Sequence, residues 1–118
     1  MKRAFVFIFF LIASISFSDS QLWKEDFKKA NEYYYHSDYE KALEIYKKLY
    51  AHGVNHPNLL YNLGNSFYKL GEYDEAVYYY EKAVLFYPRD EDIQKNLVKA
   101  RLLLKDKITP MKKTFIIQ

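Results

Sequence analysis

The sequence predicts an all-α chain, a solenoid of two helical hairpins with a C-terminal capping helix, preceded by a short apolar leader. Three observations predict it. Leu60–Pro88 places large and small apolar residues at helical spacing on both sides of a three-residue turn, Leu70-Gly71-Glu72. Three residues of that stretch recur 34 positions earlier, with Tyr39 before Tyr73, Ala42 before Ala76 and Tyr46 before Tyr80, and small Ala30 stands 34 before Gly64. A last helical stripe, Ile93, Leu97, Ala100 and Leu104, follows without a full further copy.

The leader is read first. Lys2-Arg3 form a basic start, Ala4–Phe17 is almost wholly apolar, and Ser16-Phe17-Ser18 offers small residues before a cleavage point at Asp19. That is the layout of a secretory signal peptide, residues 1–18. The apolar run of about fourteen residues is shorter than the ~20 of a spanning helix. An uncleaved N-terminal anchor and a buried helix are the other readings. The whole chain carries 18 basic and 15 acidic residues. Without the leader, sixteen basic residues face fifteen acidic ones, a net charge of +1. No general electrostatic case for nucleic acid remains. Cysteine is absent, so no disulfide or thiolate chemistry is available.

The repeat region follows as one domain, residues 19–107. Its first helix runs Leu22–Tyr35, with Trp23, Phe27, Ala30 and Tyr33-Tyr34 on one face. His36-Ser37-Asp38 makes a turn, and Tyr39 to about Ala51 is the second helix, with Ala42, Leu43, Tyr46 and Leu49 inward. Residues 22–56 are thus a degenerate copy, with Ala30, Ser37 and Leu49 where the later copy has Gly64, Gly71 and Ala83. Ala30 still permits close approach and favours helix more than glycine does. In the connector Gly53 supplies a stop, and Pro57 suits the first turn of the next helix. Residues 57–89 form the second copy. The cap spans residues 90–107, with Asp90-Glu91-Asp92 at its start and Lys105 and Lys107 at its end, both matching the helix dipole. Val98 and Arg101 stand where a third copy would place glycine and an aromatic residue. Residues 108–118, ITPMKKTFIIQ, read as a frayed tail, a partner-binding strand or the start of something longer.

Leu60, Leu63-Gly64, Phe67, Gly71, Tyr73, Ala76, Tyr80, Ala83 and Pro88 together resemble the tetratricopeptide repeat (TPR). The resemblance implies a right-handed solenoid and a scaffold for binding other proteins. More narrowly, Tyr61 to Asn65, Asp90 to Ile93, Asn96-Leu97, Ala100-Arg101 and Asp106 to Ile108 look like the TPR proteins of bacterial aerotolerance operons. That family joins an export signal to a short TPR block, and many members continue into a membrane helix and an SH3-like domain, which this sequence lacks. It implies an exported protein, in the periplasm or on the outer face of the cytoplasmic membrane. Membrane contact would come through an uncleaved signal or a membrane partner.

In TPR arrays the first helix of each hairpin lines a concave groove. The resemblance therefore assigns a protein- or peptide-binding groove to Phe27, Asn31, Tyr34, Asn58, Tyr61, Asn65, Tyr68 and Lys69, flanked by Lys24, Tyr35, Asp92, Lys95 and Lys99. Asn31 and Asn65 hold equivalent places, where two amides can bond the backbone of an extended peptide. Packing between helices is the plainer role for Asn62 and Asn65. TPRs that clamp a C-terminal carboxylate need cationic residues where this chain has Phe27, Asp92 and Asn96, so that ligand is excluded. Catalytic motifs, metal-ligand spacings and cofactor loops are absent. His52 and His56 are four apart, but Gly53 and Pro57 break the helix that would align them.

A non-catalytic exported adaptor is therefore expected, with a structural or assembly subunit, or an accessory module of an envelope enzyme complex, as the alternative. Two hairpins and a cap fall short of the ~3 repeats an independent array needs. The exposed ends are accordingly expected to bury surface against a partner or another copy, as in a homo-oligomer.

Overall fold

The computed structural model describes residues 21–116, with side chains described through Thr109; the expected signal peptide lies outside them. Among the described residues there are five helices and no strand: α1 (residues 21–35), α2 (Tyr39–Ala51), α3 (Pro57–Lys69), α4 (Tyr73–Phe86) and α5 (Glu91–Ile116). They form a helical solenoid in which α3 packs on α2, α4 on α3, and α5 on α4 with a smaller contact to α3. None of these helices is long and apolar enough to cross a membrane.

The first three connections end their helices alike. Asp38 N–H reaches the Tyr33 carbonyl at 2.9 Å, Val54 N–H that of Leu49 at 3.1 Å, and Glu72 N–H that of Phe67 at 2.9 Å. Each is the six-residue closure of a Schellman motif, which needs one residue in the left-handed region. Ser37, Gly53 and Gly71 supply it, with φ of 63°, 87° and 78°. Glycine takes that conformation freely, and Ser37 takes it at a cost.

The starts differ. Asp38 caps α2 through its carboxylate, which accepts from Lys41 N–H at 3.4 Å. His56 caps α3: its ring Nδ1 accepts from Asn58 N–H at 3.2 Å, and Pro57 follows in the first turn. Asp90 caps α5, its Oδ1 accepting from Asp92 and Ile93 N–H at 3.0 Å each. The acidic run is both cap and dipole partner.

One boundary departs from the sequence reading. The cap helix runs to Ile116 and takes in most of the segment assigned to a tail. The Thr109 hydroxyl turns back to the Lys105 carbonyl at 2.8 Å, so Thr109 bonds within the helix and starts no turn.

Small residues hold the centre. Ala30, Ala42, Ala76, Ala83 and Ala100 are fully buried, as are Leu59 and Leu63. Tyr46 and Tyr80 fill the largest buried volumes, one from each hairpin. A Cβ on Gly64 would stand 2.6 Å from two Tyr80 ring carbons, so that glycine is where two backbones close on a ring. The two ends of the array differ. On α3 and α5 the inward residues are Leu59, Leu63, Ser66 and then Ile93, Leu97, Ala100, all buried. The equivalent places on α1 hold Glu25, Lys29 and Glu32, all exposed, so that face is made for water.

Candidate functional site

The face built by α1, α3 and α5 carries a hydrogen-bond ladder that repeats with the 34-residue period. Asn31 Oδ1 accepts from the Tyr46 hydroxyl and from Asn62 Nδ2, the latter at 3.0 Å. Asn65 Oδ1 accepts from the Tyr80 hydroxyl at 2.6 Å and from Asn96 Nδ2 at 3.2 Å. Each asparagine thereby ties the second helix of its own hairpin to the first helix of the next. Asn96 also donates to the Tyr61 hydroxyl at 2.9 Å. Burial pushes the Tyr46 and Tyr80 hydroxyls well above the ordinary tyrosine range, so both stay neutral donors.

The same ladder decides what Asn31 and Asn65 can offer a ligand. Their oxygens are occupied. Among the described residues Asn31 Nδ2 donates no bond and Asn65 Nδ2 has only the Tyr61 hydroxyl beside it, so a pair of amide donors one repeat apart remains on this face. A second periodic device flanks them: Tyr34 meets Tyr39 edge-on at 5.2 Å, and Tyr68 meets Tyr73 edge-on at 5.6 Å. Each pair clamps the turn of its hairpin. The Lys69 ammonium lies 5.9 Å from the centre of the Tyr39 ring.

Of the expected groove residues, Asn31, Tyr34 and Lys69 come together around one shallow hollow of about 430 Å³, joined by Tyr35, Ser37, Tyr39, Tyr46 and Asn62. Tyr61, Asn65 and Tyr68 continue along α3, all half-buried. Phe27 belongs to the packing, with its ring 6.3 Å from Trp23 and 5.9 Å from Tyr46. Asn58 stands exposed in the first turn of α3, outside the hollow. Sequence reasoning left out Ser37 and Tyr39, which enter from the turn, and gave Tyr46 and Tyr80 no hydroxyl role. The 34-residue spacing of Tyr46 to Tyr80, and of Asn62 to Asn96, was the signal for the ladder.

A larger hollow, about 730 Å³, lies at the other end among Trp23, Asp26, Lys48, His52 and His56 and contains none of the expected groove residues. There the Trp23 and His56 rings lie 6.0 Å apart, and His52 Nδ1 donates to the Lys48 carbonyl at 2.7 Å. Glu72, Asp74 and Glu75 bring three carboxylates within 4.8 Å at the start of α4. Their place is that of acidic residues complementing a helix N-terminus. The closeness of the Asp74 and Glu75 carboxyls raises Glu75 and lowers Asp74 relative to ordinary carboxylates.

Comparison with curated proteins finds no match to the chain. A family model described as Tetratricopeptide repeat matches residues 27–92, more than half of the chain. That span takes in all of α2, α3 and α4, both asparagine acceptors and the tyrosine donors that reach them. The chain belongs to the tetratricopeptide-repeat family.

Proposed function

We propose that the chain is a non-catalytic adaptor of the bacterial cell envelope that holds an extended segment of a protein partner against the α1–α3–α5 face. The family is one of protein-interaction modules. The observation that carries the ligand class is the pair of amide donors at Asn31 and Asn65, with oxygens already held by tyrosine and asparagine. A row of donors suits a ligand with acceptors along its length, which an extended backbone provides as carbonyls. Tyr34 and Tyr68 would cover its side chains, and Lys69 would favour an acidic residue among them. Export rests on the basic-then-apolar leader. Service in an aerotolerance-type membrane complex rests on the resemblance of residues 60–108.

Replacing Asn31 and Asn65 by aspartate tests the groove. Each aspartate keeps the oxygen that accepts from tyrosine and asparagine, and loses the amide donor. The full-length double variant should fold with an unchanged helical spectrum and lose partners crosslinked in envelope fractions. Capture that survives both substitutions would move the binding face elsewhere. A partner set drawn only from the cytosol would sink the export reading.

The second reading is an assembly subunit. Exposed Leu85, Val98 and Leu102 at the α4–α5 end favour it.

A further inference from the structure

The groove between α4 and α5 is where the repeat pattern would place one more helix. In the preceding groove α4 is that helix. Its Tyr79 ring stacks on Phe67 of α3 at 5.5 Å and meets Tyr50 of α2 edge-on at 5.5 Å. Lys47 of α2 reaches over the Phe67 ring at 5.7 Å, bridging the walls of that groove. Thirty-four residues on, Glu81 and Arg101 hold those two places and bridge α4 to α5 as an ion pair of 2.8 Å. No described helix lies over this pair. Leu85, Val98 and Leu102 are each more than half exposed around it, as is Tyr78.

The groove is not a simple vacancy for a further TPR helix. Val98 stands at the place of Gly64, where even a single added carbon would meet the Tyr80 ring at 2.6 Å. A helix inserting a tyrosine there, as α4 does on α3, is blocked.

We propose that a second copy of this chain covers the groove, with the two α5 helices antiparallel about a two-fold axis near Val98. The charges favour this. Glu91, Val98 and Lys105 are seven residues apart, exposed and on one stripe of α5. An antiparallel pair centred on Val98 sets Glu91 of each copy against Lys105 of the other, twice over. Arg101, which comes close to the axis, is already neutralised by its own Glu81. The apolar centre is then Val98 and Leu102 from both copies, with Leu85 beside them. The opposite end of the solenoid presents exposed Glu25, Lys29 and Glu32, which cannot seat an apolar patch without losing water from three charges. Stacking end to end is thereby disfavoured, and an isologous contact closes the assembly at two copies.

The chain has no cysteine, so a single introduced thiol reports the arrangement without background. Val98→Cys in the full chain should crosslink to itself under mild oxidation at tens of micromolar. Glu32→Cys on the opposite end should remain uncrosslinked. Leu102→Glu added to Val98→Cys should cut the crosslinked fraction about tenfold without changing the thermal melt. Lys105→Glu should weaken the crosslink, and Glu91→Lys in the same chain should restore it. Sedimentation velocity of chains without the thiol should show a dimer that Leu102→Glu converts to monomer. A Val98→Cys chain that stays monomeric overturns the proposal and leaves the groove to a different protein. Crosslinking between Val98→Cys and Glu32→Cys chains, or a dimer indifferent to Leu102→Glu, also overturns it.

Discussion

Tyr80 donates a hydrogen bond from its hydroxyl to Asn65 Oδ1 across 2.6 Å, and this bond joins the two helices of one hairpin at the point where the next helix also takes hold. The hydroxyl belongs to a ring that is 1% exposed, so removing its acceptor leaves a donor with little access to water. Asn65→Ala should therefore destabilise the chain by about 1–3 kcal/mol, the cost of stranding a buried polar group. Tyr80→Phe, which removes the donor itself, should cost only about 0.5–1.5 kcal/mol. Urea denaturation of both single variants and the double variant would check the asymmetry and measure the coupling.

Gly64→Ala should be destabilising despite the better helix propensity of alanine. The gain of roughly 0.5–1 kcal/mol from leaving glycine is opposed by about 1–3 kcal/mol of overpacking against the Tyr80 ring. The expected net loss is about 1–2 kcal/mol, read as a lower denaturation midpoint at unchanged slope.

Ser37 and Gly71 occupy the same place in successive turns, both at positive φ. Ser37→Gly should raise stability by about 1 kcal/mol by relieving the left-handed serine, and Gly71→Ser should lower it by a similar amount. Thermal melts of the two variants should shift in opposite directions. The Ser37 hydroxyl lies 3.4 Å from that of Tyr39, a contact too long and exposed to reverse the sign.

Alkaline pH should unfold the chain in a way that tracks the ladder. Burial raises Tyr46 and Tyr80 above the unfolded value of 10.0. A hydroxyl whose folded pKa is raised contributes stability that is fully present below pH 10. That contribution is lost as the unfolded chain begins to ionise above it. Stability should be flat towards pH 10 and fall beyond it, and Tyr46→Phe with Tyr80→Phe should flatten the fall. Circular dichroism against pH, with the tyrosinate absorbance recorded in parallel, measures both.

The period made most of the fold legible. A side chain buried at Tyr46 must be buried again at Tyr80 if the same hairpin is built twice, and Ala42 and Ala76 follow the same logic. The site was less legible because an asparagine has two ends. Spacing put Asn31 and Asn65 on one face, but which end faces the groove depends on a tyrosine fifteen residues later and an asparagine on the next hairpin. Phe27 was placed in the groove by register, yet the first hairpin has Trp23 beside it, and the two aromatic rings pack together. The end of α5 was not legible: Thr109 and Pro110, in the segment assigned to a tail, are here carried inside a helix.

The asparagine ladder also constrains how such a chain can change length. Every rung takes one donor from its own hairpin and one from the next, so the repeats are joined like links cut to a common gauge. An insertion of 34 residues, carrying its own tyrosine and asparagine in register, would add a rung and disturb none. An insertion of any other length would leave one acceptor facing the wrong neighbour. Growth or loss by whole repeats is the change this architecture accepts most readily.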